Sequence, residues 1–142
     1  MKLIRFGKPG MEKPGIIRGD GKKIDVSGFG EDYDSRFFGK DGITRLEQWL
    51  STNPSTLSEL SADQRLAPPV KNPGKIVCVG LNYEDHAREG GMKIPEEPIL
   101  FFKSTTALSG PYDDVIIPKN SRKTDWEVEL AVIIGHYPEK CV

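Results

Sequence analysis

"KIVCVGLNYEDHAREGG", residues 75–91, decides how the chain reads, because its periodicity changes within a few residues. Ile76 to Val79 form a continuous apolar run of the kind a buried strand carries, and Gly80 ends it. Asn82 is a good helix N-cap, Asp85 stands where a capping-box acid sits, and Gly90-Gly91 provides a stop. The stretch therefore predicts a buried strand, a glycine turn and a helix of about two turns over Tyr83 to Glu89. His86 and Glu89 are three residues apart and share a face of that helix. A carboxylate accepting from one imidazole nitrogen fixes the tautomer and leaves the other nitrogen to take a proton, as a general base must. An ordinary surface helix carries the same pair without function. Spacing alone leaves both readings open.

Downstream, "PILFFK" (98–103) and "VIIP" (115–118) are strand candidates joined through "SGPYDD", and "TDWEVELAVIIG" (124–135) predicts a last strand. In that strand Trp126, Val128, Leu130, Val132 and Ile134 alternate onto one apolar face, while Glu127 and Glu129 share the other with Ala131 and Ile133. The two carboxylates are then about 7 Å apart. Either this end of the strand is wet, with Arg122 and Lys123 partly neutralising it, or a cation sits between them. Two carboxylates suit a hard cation such as Mg²⁺, Mn²⁺ or Ca²⁺, and suit zinc less without Cys or paired His ligands. Lys103 ends an apolar run. It is either a strand-end lysine with its head in water or a partner for a substrate carboxylate. "EEP" and "PYDD" read as turn acids. Gly80-Leu81-Asn82-Tyr83 fits neither GxGxxG nor GxxxxGK[ST], so a nucleotide site is rejected.

Upstream, "KLIRF", "GIIR" and "KKIDV" read as short strands with a hairpin turn at "GDG" (19–21). "GITRLEQWLS" places Ile43, Leu46, Trp49 and Leu50 at helical spacing. Residues 52–75, rich in Ser, Pro and Asn, read as a connector into a second unit. The expected organisation is a small β-rich N-terminal domain and linker over 1–70, followed by a second domain over 71–142.

The chain has 142 residues, with 20 basic and 21 acidic side chains and a net charge of −1, so nothing points to nucleic acid or an anionic membrane. Mean hydropathy is −0.44. There is no apolar run of about 18 residues, and the first ten residues lack the apolar stretch of a secretory signal. Cys78 reads as a buried thiol and Cys141 as a tail residue, with no disulfide framework. These features predict a soluble, cytoplasmic protein of α+β, β-rich class, with 15 Gly and 11 Pro marking many tight turns.

Taken together, "VGLNYEDHAREGG", "PILFFKSTTALSGPYDDVIIP" and "DWEVELAVIIG" resemble the fumarylacetoacetate hydrolase family, and the first 70 residues resemble the small N-terminal domain of its longer members. The resemblance implies a mixed β-roll catalytic domain that forms a homodimer and binds Mg²⁺ or Mn²⁺, with Ca²⁺ as a substitute. It implies Glu127 and Glu129 as metal ligands, His86 and Glu89 as a water-activating dyad, and Lys103 with Tyr83 at the substrate. Family substrates are 2,4-dioxo acids or related 2-oxo acids, cleaved at a carbon–carbon bond. Ureidoglycolate lyase or oxaloacetate decarboxylase activity on the same scaffold is the nearest alternative. The family's third ligand is an Asp downstream of the E-x-E strand, which this chain does not reach. It therefore reads as the N-terminal part of such an enzyme, inactive alone, or else as a non-catalytic assembly piece.

Overall fold

The computed structural model describes residues 1–135, which form two compact units. One comprises Met1–Lys71 with the described residues from Ser109 on, and the other is Asn72–Leu108.

In the first unit, β1 (Lys2–Phe6), β2 (Lys13–Ile17), β3 (Lys23–Asp25), β4 (Ser58–Glu59) and β5 (Leu66–Ala67) form an antiparallel sheet in the order β4-β3-β2-β1-β5. The "GDG" turn does close a hairpin: Arg18 N–H donates to Lys22 O at 3.0 Å and Gly21 holds a φ of 83°. Leu3, Ile16 and Ile24 lie side by side across three strands because β1 and β2 pair Leu3 with Ile16, and β2 and β3 pair Ile16 with Ile24. That apolar row receives α1 (Ser35–Gly39) and α2 (Gly42–Thr52). Asp34 starts α1 by accepting the Phe37 N–H at 3.0 Å, which satisfies one of the helix's orphan donors. Val26, Tyr33, Phe37 and Leu46 are fully buried between these layers, and full burial of a side chain such as Phe37 or Leu46 is worth about 1.5–3 kcal/mol. Of the four apolar residues expected to line α2, Leu46 is buried and Trp49 and Leu50 pack against the core, whereas Ile43 is exposed.

The corner between the helices is tight enough to require glycine. A Cβ on Gly42 would lie 2.4 Å from both Phe37 Cδ2 and Phe37 O. Since one of those atoms is backbone, rotation of a side chain does not relieve the clash. Gly42→Ala should therefore destabilise the chain by at least about 1–3 kcal/mol, the usual range for overpacking. Urea denaturation measures this, and an unchanged midpoint would show that the corner opens freely.

Buried charge is confined and paired. Arg5, only 5% exposed, donates Nε and Nη2 to the two oxygens of Asp32 at 2.8 and 3.0 Å. Lys71 Nζ reaches the same carboxylate at 3.2 Å, and the Lys71 N–H donates to Tyr33 O at 2.8 Å. Tyr33 in turn donates its hydroxyl to Gly15 O at 2.8 Å, and burial pushes its phenol far above the ordinary range. Arg65 clamps Asp113 at 2.7 and 2.5 Å and donates to Gly7 O, while Asp113 also accepts the Gly110 N–H at 2.7 Å. Asp113 is thus a turn acid, as read from "PYDD", and additionally an anchor. The hydrogen bonds from Arg65 hold its carboxyl below the usual carboxylate range.

Three expectations fail here. Residues 52–75 are not a plain connector, because Ser58–Glu59 and Leu66–Ala67 supply both edges of the sheet. Short edge strands need few donors, so a Pro- and Ser-rich segment can provide them. Neither 115–118 nor 124–135 forms a strand; both lie outside regular secondary structure, and residues 121–134 are exposed. Alternation gives a strand its faces, but only a hydrogen-bonding neighbour makes it a strand.

In the second unit, β6 (Ile76–Gly80) pairs antiparallel with β7 (Ile99–Lys103), and α3 (Glu84–Glu89) follows β6. The apolar run was expected to be buried, yet Val77 and Val79, opposite Phe102 and Leu100, lie on an exposed face; Leu100 and Phe102 are 64% and 71% exposed. A two-stranded ribbon buries only what a second layer covers. Cys78 is a free thiol of intermediate burial, and Cys141 lies outside the described residues. Among the described residues no helix is long and apolar enough to cross a membrane.

Candidate active site

Gly80 ends β6, and the next residue, Leu81, carries the chain round with a φ of 52°. A residue with a Cβ pays roughly 1–2 kcal/mol for that left-handed backbone. The helix begins two residues after the expected cap. Asn82 precedes the N-cap position, which Tyr83 occupies with extended backbone and without a side-chain cap hydrogen bond. The first turn is instead favoured by charge, because Glu84 and Asp85 stand at the positive end of the helix dipole. The far end stops as the two glycines imply. Met92 N–H donates to Ala87 O at 2.8 Å and Gly91 N–H to Arg88 O at 3.0 Å, with Gly91 at a φ of 62°. This is the paired bonding of a Schellman stop.

On this short helix the side chains divide by face, since successive residues turn by roughly 100°. Ala87 points inward and is fully buried. Arg88 pairs with Glu84, one turn back, and lies 4.0 Å from Asp85. His86 and Glu89 occupy the side away from that ion pair, and both are exposed. The arrangement leaves Arg88 engaged with Glu84 and both His86 and Glu89 in reach of solvent.

Tyr83, His86 and Glu89 thus belong to one seven-residue segment. Lys103 does not join them along the ribbon. It ends β7 opposite Ile76, whereas the turn into α3 leaves from the Gly80–Ile99 pair. Those two ends are about 13 Å apart along the strand direction, at roughly 3.3 Å per residue. Glu127 and Glu129 lie in the exposed irregular segment of the first unit. Their donor chemistry, two accessible carboxylates separated by one residue, fits a hard divalent cation whose remaining positions are filled by water and substrate oxygens. Among the described residues no group of three His, Cys, Asp or Glu side chains gathers as a ready-made metal site. Sequence spacing did not reveal the left-handed Leu81. A glycine stands at position 80, where such a conformation would be sought, and it does not adopt it.

Comparison with known proteins bears on this segment directly. The pattern described as "Fumarylacetoacetate (FAA) hydrolase C-terminal" matches residues 75–141. This segment belongs to the fumarylacetoacetate hydrolase family. A 2,4-didehydro-3-deoxy-L-rhamnonate hydrolase of Sphingomonas sp. is 46% identical over 135 residues, covering 95% of this chain and 45% of that protein. A Burkholderia multivorans protein named "Putative hydrolase" is also 46% identical over 135 residues, covering 95% of this chain and 47% of its own length. The chain therefore spans about half the length of the curated relatives it matches. A crystal structure of a "putative HpcE protein" from Mycobacterium smegmatis superposes with a TM-score of 0.62 at 27% identity, over 84% of this chain and 41% of that one. The fumarylacetoacetate hydrolase segment includes β6, α3, β7 and the stretch bearing Glu127 and Glu129, while the N-terminal sheet lies outside it.

Proposed function

We propose that the whole protein is a divalent-metal-dependent hydrolase that cleaves a carbon–carbon bond in a 2,4-dioxo acid. The observation that carries this reading is the strand–turn–helix of residues 76–89, which sets His86 and Glu89 on one exposed side of α3 within the family-matched segment. The relative named for a 2,4-didehydro-3-deoxy sugar acid supports the substrate class. His86 takes a proton from water, and Glu89 steadies the imidazolium that results. The hydroxide adds to the 4-oxo carbon, and the bond between carbons 3 and 4 breaks. The acyl part leaves as a carboxylic acid, and the enolate of the 2-oxo acid takes the proton back from His86. Tyr83 and the Lys103 ammonium bind the substrate, the latter through its carboxylate. Glu127 and Glu129 would hold Mg²⁺ or Mn²⁺, whose charge polarises the 2-oxo group and eases enolate formation. A homodimer belongs to the same reading, and the exposed Val77, Val79, Leu100 and Phe102 support it.

Calorimetric titration of Mn²⁺ into the whole protein tests the ligand assignment. Glu127→Ala and Glu129→Ala should each weaken binding at least about tenfold, a loss that removal of even an outer-shell partner produces. Whole protein that takes up no Mn²⁺ or Mg²⁺, or two variants that bind as the parent does, would rule the assignment out.

A further inference from the structure

Among the described residues, four other than glycine hold a positive φ: Asp41, Asn72, Leu81 and Asn120. Asp and Asn visit this region because their short polar side chains bond locally to the backbone. Leu81 has no such device, and its partly buried side chain is purely apolar. The neighbouring Gly80 could have taken the left-handed position without cost, yet its φ is not among the positive values. Nor is Gly80 demanded by crowding, since a Cβ there would meet Ile99 at an ordinary 3.5 Å. The strained residue therefore stands at the single turn between β6 and the helix that bears His86 and Glu89. Backbone strain kept at such a place points to a role in holding geometry.

We propose that Leu81 is a positioning residue, whose left-handed backbone sets the direction in which α3 leaves β6 and so where the His86–Glu89 pair stands against the ribbon. The inference rests on the dyad proposed above. Three residues, Leu81 to Tyr83, separate the strand from the helix, so the φ and ψ of Leu81 steer everything that follows. For a residue with a Cβ, the left-handed well is small and isolated, which confines the turn once the flanking elements are in place. Glycine at the same position spreads over a much larger region and frees the exit angle.

Three variants of the whole protein test this. Leu81→Gly should leave the melting temperature nearly unchanged, because relief of strain offsets the added chain freedom. It should lower kcat by about 10- to 100-fold with little change in KM, the scale of a misplaced catalytic group. Leu81→Asn, which tolerates the left-handed well, should retain most of the parental kcat. The His86 ring cross-peaks of the whole protein are assigned by NMR as those that vanish in His86→Ala. They should move in Leu81→Gly and stay in place in Leu81→Asn. His86→Ala is the control for the dyad itself. If His86→Ala abolishes turnover while Leu81→Gly keeps the parental kcat, the positioning role is refuted. It is equally refuted if Leu81→Asn loses as much as Leu81→Gly, since the side chain rather than the backbone would then matter. If His86→Ala turns over normally, the dyad reading falls, and the inference with it. Should Leu81→Gly fail to fold, retained kcat and unmoved His86 cross-peaks in Leu81→Asn support the role, and their loss overturns it.

Discussion

Replacing His86 by alanine in the whole protein is expected to reduce kcat for hydrolysis of an acylpyruvate by about 100- to 10,000-fold, the range that positioned general acid–base groups contribute. The fold gives this expectation its specificity. His86 is exposed on α3 and makes no part of the buried core, and alanine is the best helix former, so α3 should survive the change. Its backbone carbonyl accepts the Gly90 N–H at 3.1 Å, a bond that alanine preserves. The melting temperature should therefore stay close to the parental value while turnover collapses, and Mn²⁺ affinity should be nearly unchanged because the proposed ligands are elsewhere in the chain. Glu89→Gln keeps the shape and a hydrogen-bond acceptor but removes the charge that steadies an imidazolium, so its loss should be smaller. A His86→Ala protein with the parental rate would remove His86 from the chemistry. One that loses metal and activity together would assign His86 to binding instead.

What could be read in advance follows from the range over which each signal acts. The β2–β3 hairpin was legible because "GDG" supplies a glycine for a positive φ between two short apolar runs, a local requirement met by local residues. The α3 stop was legible for the same reason, through Gly90 and Gly91. Its start was displaced because capping competes with the exit geometry of the preceding strand. Leu81 takes the turn, and the helix begins only after Tyr83. Ser58–Glu59 and Leu66–Ala67 were missed because two-residue edge strands carry no periodicity and owe their existence to partners more than thirty residues away. The opposite error befell 124–135, where alternation is clear but no strand forms. The His86–Glu89 spacing was readable and the helix exists, yet spacing could not show that Arg88 turns to Glu84 and leaves the dyad's side of α3 clear. Nor did it show the Arg5–Asp32 pair, whose members are 27 residues apart.

That pair carries the largest stability effect. Asp32→Ala should destabilise the chain by about 3–5 kcal/mol, because it removes one partner of a buried ion pair and leaves the other without compensation. The Arg5 guanidinium has only 7% of its side chain exposed and directs two donors at Asp32, which also accepts the Tyr33 N–H at 2.9 Å. Arg5→Met should cost less, since it removes the buried cation and keeps much of the apolar volume. Adding it to Asp32→Ala should then recover part of the loss, and a double-mutant cycle by urea denaturation separates the coupling from the single effects. The same carboxylate sets a pH dependence. Burial works to raise its pKa, but hydrogen bonds from Arg5, the Tyr33 N–H and Lys71, with the positive charge of Arg5, outweigh burial and hold it below the ordinary range. A carboxylate depressed in the folded state binds its proton more readily when unfolded. Its contribution is therefore complete above the unfolded value, about pH 3.9, and is lost as the pH falls through the lower folded value. Parental stability should decline in that acid window, and Asp32→Ala should show a shallower decline there while remaining less stable at neutral pH. A cost below about 1 kcal/mol, the range of a surface pair, would mean that water reaches Arg5 and that the pair does not hold β1 to the segment leading into α1.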